Sequence, residues 1–556
     1  MASTASNENR VSASRTSELA LEMTRWPSVS GTPGEAEFSE RLHALLAQTP
    51  YFQDHPDQLL TFDSHGDPMT RNVAALVRGC GRETIVLAGH FDTVSIDNYG
   101  TLAPLAIEPE GLTKALVAEL SARPRNPAEE KALADLLGGD FIAGRGLLDM
   151  KSGLAAGIAA MERFAALPAP VGNILFIATP DEEVLSRGMR SVRDALPALA
   201  ERFGLDIVGG INLDASSCER NGEEGRAVYL GSVGKFLPFA FVVGRPTHAG
   251  YPFDGISAHR IAAEIVRAID TNPALCDEAF GETSPAPVVL EVKDLRESYD
   301  VTTPDRVWLA CNWLTHRRTA AGLFEEFAAI VGNAMAAALG AQAENRSKST
   351  GDSAPSHAPA GRVLAYSELV AIARERGGET AIERVRNIER TLSGGDNPLA
   401  ITREIVSAMV TEAGIVGPAV IVGLSSLHYP LVHLDRQGAA GRAMQEILAS
   451  VMERVAARHD TTIKFKQIFA GISDMSFFGH APDASETDVL AVNTPAAVFS
   501  DTPPAGSLSF PVVNIGPWGR DYHQKWERVH APYTFTVLPD LVFEAAVACL
   551  QALRAR

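Results

Sequence analysis

Through roughly the first 235 residues the apolar positions fall into short runs separated by amphipathic stretches. Thr16–Arg25 and Glu35–Gln48 carry the spacing of helices that bury one face. Asn72–Arg78 and Thr84–Ala88 are short and β-branched, and read as strands. The helix Gly153–Ala166, the strand Asn173–Thr179 and the strand Asp206–Leu213 follow. Alternation of this kind predicts an α/β domain with a mostly parallel central sheet flanked by helices. Such sheets gather chemistry beyond the carboxyl ends of their strands, so strand-end residues carry most weight.

From about Lys235 the pattern changes. The strand Phe239–Val243, the helix Ala258–Asp270, the strands Val288–Val292 and Val307–Leu314 and the long helix Ala320–Leu339 predict an inserted α+β domain of ferredoxin-like type. A Ser/Pro/Ala/Gly stretch, Arg346 to Gly361, reads as a linker or loop. Further on come a helix near Tyr366–Glu375, the strand Ala419–Leu424, the helix Gly441–Ala457, the strands Thr462–Phe465 and Val512–Ile515 and the terminal helix Pro539–Ala555. The expected organisation is one domain, 1–235 and 346–556, interrupted by a smaller one, 236–345.

The chain has 556 residues, which favours more than one core. No apolar run approaches the ~18 residues of a membrane span, and Met1 to Arg15 reads as a frayed polar arm. A net charge of −19 disfavours nucleic acid or an anionic membrane as partner and leaves a small-molecule substrate open. Five cysteines (Cys80, Cys218, Cys276, Cys311, Cys549), scattered and without a CxxC pair, fit a reducing cytoplasm and buried apolar roles.

Four strand ends or turns hold candidate metal ligands. Gly89-His90-Phe91-Asp92 puts an imidazole and a carboxylate on one face, with Asp92 placed to orient His90. Asp149 lies in a Gly-rich turn, Gly144 to Gly153, that enters a helix; Asp181-Glu182-Glu183 ends one strand and Asp214 another. Taken singly these are a surface pair, a helix cap, a solvated turn and a capping residue. Together, so many carboxylates would repel one another unless cations neutralise them, which points to divalent metal.

The order of these motifs resembles the two-zinc aminoacylase/carboxypeptidase family of metallopeptidases, whose relatives include succinyl-diaminopimelate desuccinylase and acetylornithine deacetylase. The likeness continues in Pro246-Thr247-His248-Ala249-Gly250, in Gly471-Ile472-Ser473-Asp474, and in Gly516-Pro517-Trp518-Gly519 with His523 and Glu527. Lys293-Asp294-Leu295-Arg296-Glu297-Ser298-Tyr299-Asp300-Val301 and Asn312-Trp313-Leu314-Thr315 make it closest to the arginine-utilisation (RocB) group.

The resemblance implies a zinc-exopeptidase fold with a lid and dimerisation domain, and two divalent metals per chain, zinc foremost with manganese or cobalt as substitutes. His90 and Asp214 would hold one metal and Glu183 and His523 the other. Asp149 would bridge them, followed by a cis peptide to Met150. Glu182 would be the general base, Asp92 the support of His90, and His248 a lid histidine that polarises the scissile carbonyl. His523 is preferred over His530 as the last ligand, and Asp474 is either a supporting or substrate contact or a helix cap. Ser152 stands where the family more often has glycine or alanine, and the segments Tyr99–Asp140 and Arg346–Pro430 are long. The implied reaction is hydrolysis of an amide bond in an N-acyl amino acid or dipeptide. The alternatives are a carbamoyl- or amidine-type amidohydrolase and a non-catalytic binding protein.

Overall fold

In the computed structural model, which describes residues 2–66, 70–217, 226–351, 361–392, 397–481 and 484–553, the apolar runs of the first half become neighbouring strands of one sheet. The chain divides into two units. The first comprises Met1–Ser232, Val432–Ala481 and Pro503–Arg556, and the second Val233–Leu431 with Pro482–Thr502.

The first unit is built on an eight-stranded sheet among the described residues. At its centre Val171–Thr179, Cys80–His90, Asp206–Asn212 and Val512–Asn514 lie side by side and parallel. Leu59–Asp63 and Arg71–Arg78 add antiparallel at one side. Arg226–Tyr229 joins the other side antiparallel to Val512–Asn514 and parallel to Ile463–Lys466. The sheet is therefore mixed: parallel pairings run through its middle and recur at the Ile463–Lys466 edge, and antiparallel pairings make up the rest. Apolar runs look alike whichever way a strand points, so direction was not legible in them.

Helix Ser152–Ala165 is buried along almost its whole length. A Cβ on Gly153 would stand 2.0 Å from the Leu213 carbonyl oxygen, so only glycine lets this helix lie against the strand that ends at Asn212. Two helical stretches, Ala320–Thr350 and Tyr533–Ala552, are long and apolar enough by composition to cross a membrane. The second spends that character on the core through Leu538, Leu541, Val542, Ala545 and Leu550, all fully buried.

In the second unit Val288–Asp294, Arg306–Thr315, Pro238–Val243 and Ala419–Leu424 are successive antiparallel neighbours, and Arg362–Ala365 pairs parallel with the last. Helices Ala258–Ile269 and Ala320–Thr350 pack their apolar faces into this unit's core. Arg362–Ala365 and Ala419–Leu424 thus belong to the smaller sheet, which moves the expected boundary at residue 346 to Leu431. A strand apolar on both faces carries no mark of the sheet it will join.

Local expectations are corrected in three places. The segment read as a frayed arm belongs to the helix Ala2–Thr24, and Arg15 forms a two-pronged ion pair with Glu162. Arg346–Thr350 finishes a helix rather than opening a linker, while 352–360 lie outside the described residues. Cys80 is exposed and Cys276 half-buried, whereas Cys311 and Cys549 are buried as expected; Cys218 lies outside the described residues.

Candidate metal centre

Three adjacent parallel strands end at the same edge of the first unit's sheet. His90 is paired in register with Thr179, and Ala88 with Asn212. The residues that follow, Glu182 and Glu183 after one strand and Asp214 after another, are thereby brought to His90. Asp149 reaches them from the turn Leu147–Lys151, which opens helix Ser152–Ala165. The Asp149–Met150 peptide is cis.

His90 is 1% exposed. Its Nε2 lies 3.3 Å from Asp149 Oδ1, 3.6 Å from Asp214 Oδ1 and 3.9 Å from Glu182 Oε2. That nitrogen is buried and makes no hydrogen bond. Its Nδ1 faces the Asp92 carbonyl oxygen at 3.1 Å and the Asp92 carboxylate at 3.4 Å. His523 Nε2 stands 3.1 Å from both Asp149 Oδ2 and Glu183 Oε2. Ligand atoms of His90, Asp149 and Glu183 all lie within 4.8 Å of one another.

A buried imidazole nitrogen without a hydrogen bond, aimed among carboxylate oxygens, suits a divalent cation. The protonation pattern fits the same picture. Burial pushes the Glu182 carboxyl well above its ordinary range, and burial also raises Glu183 and Asp214. Burial opposes charge on His90 too, yet Asp149, Asp214 and Asp92 hold its pKa well above the usual value. Burial likewise works against the ionised Asp149, but the imidazoles of His523 and His90 beside it keep it far below the carboxylate range. The cluster is thus an excess of buried acid in search of positive charge.

Asp92 does more than face His90. It accepts hydrogen bonds from the backbone N–H of Glu182 at 3.0 Å and of Glu183 at 3.2 Å, and from the Ser30 hydroxyl at 2.7 Å. A single carboxylate therefore fixes the strand end that carries both glutamates, and bonds to an ionised acceptor contribute about 1.5–3 kcal/mol each. Asp181 turns away, at φ 66°, into an ion pair with Arg187 at 2.7 and 2.8 Å. Glu35, whose carboxyl burial pushes up to about 8, accepts from Asp181 N at 2.9 Å.

Asp214 is held by Ser473, which the sequence reading placed only within the Gly471-Ile472-Ser473-Asp474 motif, and by Asn514, to which it gave no role. Asn514 accepts from Asp214 N at 3.1 Å and returns a bond to its carbonyl oxygen at 2.9 Å. Ser473 donates to the Asp214 carboxylate at 2.9 Å, and Asn212 donates to both Ser473 and Asn514. Asn514 ends the strand beside Asp206–Asn212, so the strand-end rule would have found it. Asp474 opens a short 3-10 turn capped by Ser473 and accepts from Thr179 Oγ1 at 3.1 Å.

Glu527 is fully buried and clasps Arg145 and the Gly146 N–H, tying the His523 loop to the turn that carries Asp149. His530 sits apart, edge-on to Phe141 and tilted against Trp518, with ring centroids 5.0 and 4.6 Å away. His248 belongs to the second unit, where it is exposed and its Nδ1 accepts from Gly250 N at 3.0 Å.

The model of peptidase family M20/M25/M40 matches residues 122–496. The chain is 30% identical over 532 residues to YqjN, an uncharacterized protein of Bacillus subtilis, covering 94% of each. It is 28% identical over 556 residues to Protein RocB of the same organism, covering 98% of this chain and 96% of that one. Among solved structures, a candidate aminohydrolase from methicillin-resistant Staphylococcus aureus matches with a TM-score of 0.50 at 12% identity, over 98% of each chain, a likeness of fold alone. The family model spans well over half of the chain, and the chain belongs to peptidase family M20/M25/M40, a family of metal-dependent hydrolases.

Proposed function

We propose that this protein hydrolyses an amide bond in a small substrate, an N-acyl amino acid or a dipeptide, with two divalent cations held at the edge of the first unit's sheet. The observation that carries the reading is the buried, unbonded His90 Nε2 among the oxygens of Asp149, Asp214 and Glu182. His90 and Asp214 would hold one cation, Glu183 and His523 the other, and Asp149 both. Bound zinc would supply Lewis acidity at the scissile carbonyl and lower the pKa of the attacking water.

Glu182 is the proton carrier. It is buried, its backbone is fixed by Asp92, and burial raises its carboxyl pKa well above the ordinary range, as suits a group that must accept a proton. It takes the proton of the attacking water and delivers it to the leaving nitrogen. His248, on its exposed turn, is the candidate donor to the developing oxyanion. The reading extends to a cytoplasmic enzyme of amino-acid catabolism. It also includes a homodimer through the second unit, where the edge strand Val288–Asp294 exposes Val288, Leu290 and Val292. Neither nucleic acid nor membrane has a part in it.

The decisive experiment pairs metal analysis of the purified chain with a Glu182→Gln variant, screened on N-acyl amino acids and dipeptides. The variant should keep its metal and lose about 10²–10⁴-fold in kcat. A variant as fast as wild type, or a wild-type chain with less than one metal, rejects the reading.

A further inference from the structure

The segment between the first two motifs folds as a 3-10 stretch, Asp97–Leu105, and two helices, Pro109–Ser121 and Pro127–Gly138. The second helix opens with a complete capping box on Asn126 and Glu129. Leu120, Ala132 and Leu133 form a small apolar cluster of their own, and Trp526 packs against it. Trp526 lies in the loop that presents His523.

Three polar grips run from this segment to the same loop. Asn98 Nδ2 donates to the carbonyl oxygen of His523 itself at 3.0 Å, while its Oδ1 accepts from Arg145 at 3.0 Å. Lys525 Nζ donates to both oxygens of Glu119 at 2.7 and 2.9 Å. Asp135 accepts from Arg520 at 2.6 and 2.8 Å and from Arg528 at 2.7 and 2.9 Å. Arg520 and Arg528 flank the loop, so it is held before, at and after His523.

The loop needs such support. Asp521 at φ 55° and His523 at φ 62° are in the left-handed region, which costs free energy for residues other than glycine. The His523 side chain is also 42% exposed, so beyond Tyr522, edge-on at 5.0 Å, and the Asp149 and Glu183 carboxylates, its position rests on the loop backbone. We infer that the helical segment 97–138 is a clamp that positions the His523 imidazole and thereby sets the affinity of one metal position. Asn98, Glu119 and Asp135 act as positioning residues. This rests on the proposed reading of His523 as a ligand.

The test is calorimetric titration of the metal-free full chain with zinc, comparing wild type with Asn98→Ala/Glu119→Gln. Both substituted side chains are outside the core, so the variant should melt as wild type does without metal. Wild type should take two equivalents. In the variant the weaker equivalent should lose about 10–100-fold in affinity, the range for removing groups that support a ligand, and the tighter one should be unchanged. A charge exchange adds a rescue: Glu119→Lys should weaken the same equivalent, and Lys525→Glu in that background should restore it. Two unchanged equivalents in the double variant overturn the clamp alone. Equal weakening of both, with a lowered metal-free melting temperature, overturns it in favour of general destabilisation. A wild-type chain without a second equivalent overturns both the clamp and the functional reading.

Discussion

The two halves of the candidate centre are built differently. His90 and Asp214 stand on strand ends, almost fully buried, with Asn514, Ser473 and Asp92 around them. His523 stands on a loop, with a side chain 42% exposed and its backbone gripped from outside. A sheet edge fixes a ligand by the register of several strands at once, whereas a loop ligand is only as well placed as the contacts that hold the loop. The first half should therefore be coupled to the stability of the domain, and the second largely decoupled from it.

Replacing the two histidines is the strongest way to break that contrast. His90→Ala should cost about 3–5 kcal/mol, because it leaves buried carboxylates without their partner. His523→Ala should cost less, because its side chain is 42% exposed although it too leaves Asp149 and Glu183 short of a partner, and should still lose one equivalent of metal. Denaturant melts of the metal-free proteins measure both, and equal losses would show the halves to be alike.

A smaller effect is expected at Asn514. Asn514→Ala strands the backbone groups of Asp214 in a buried setting, at a cost of about 1–3 kcal/mol. It should weaken the metal on the sheet side and spare the one on the loop side. Weakening confined to the loop side would reverse the assignment of Asn514.

The smallest effect separates His523 from its rival. Burial and the Arg226 guanidinium push the His530 pKa down from 6.5 to about 4. The folded chain therefore refuses a proton that the unfolded chain accepts. The stability tied to His530 is full above pH 6.5 and is lost as the pH falls toward 4. His530 is only half-buried, so the slope should be shallow. His530→Phe should flatten it between pH 6.5 and 4.5 in thermal melts without changing the metal stoichiometry, and an undiminished acid slope would place its cause elsewhere.

Much of the centre was legible because strand ends concentrate chemistry. His90, Glu182, Glu183 and Asp214 each follow an apolar run, and a run of that kind announces where its strand stops. Asp149 was marked by the glycines around it. Asn514 and Ser473 were not legible as partners of Asp214, since nothing in a short polar residue says which chain segment, some 300 or 259 positions away, it will bond. The small domain was legible only in part, because its last strand, Ala419–Leu424, arrives after two helices, Tyr366–Leu392 and Pro398–Ala413, that the pattern did not attach to it.

By itself the sequence determined most of the strands and helices, though not the helical character of residues 2–15 and 346–350, and which side chains are candidates for metal and proton chemistry. Both follow from local periodicity and from the chemistry of the residue types. Strand direction, the sheet joined by Ala419–Leu424 and the clamping of the His523 loop by Asn98, Glu119 and Asp135 were decided only in three dimensions. Each depends on which distant segments pair or bond, and that choice is made by the free energy of the whole packed domain rather than by any run of neighbouring residues.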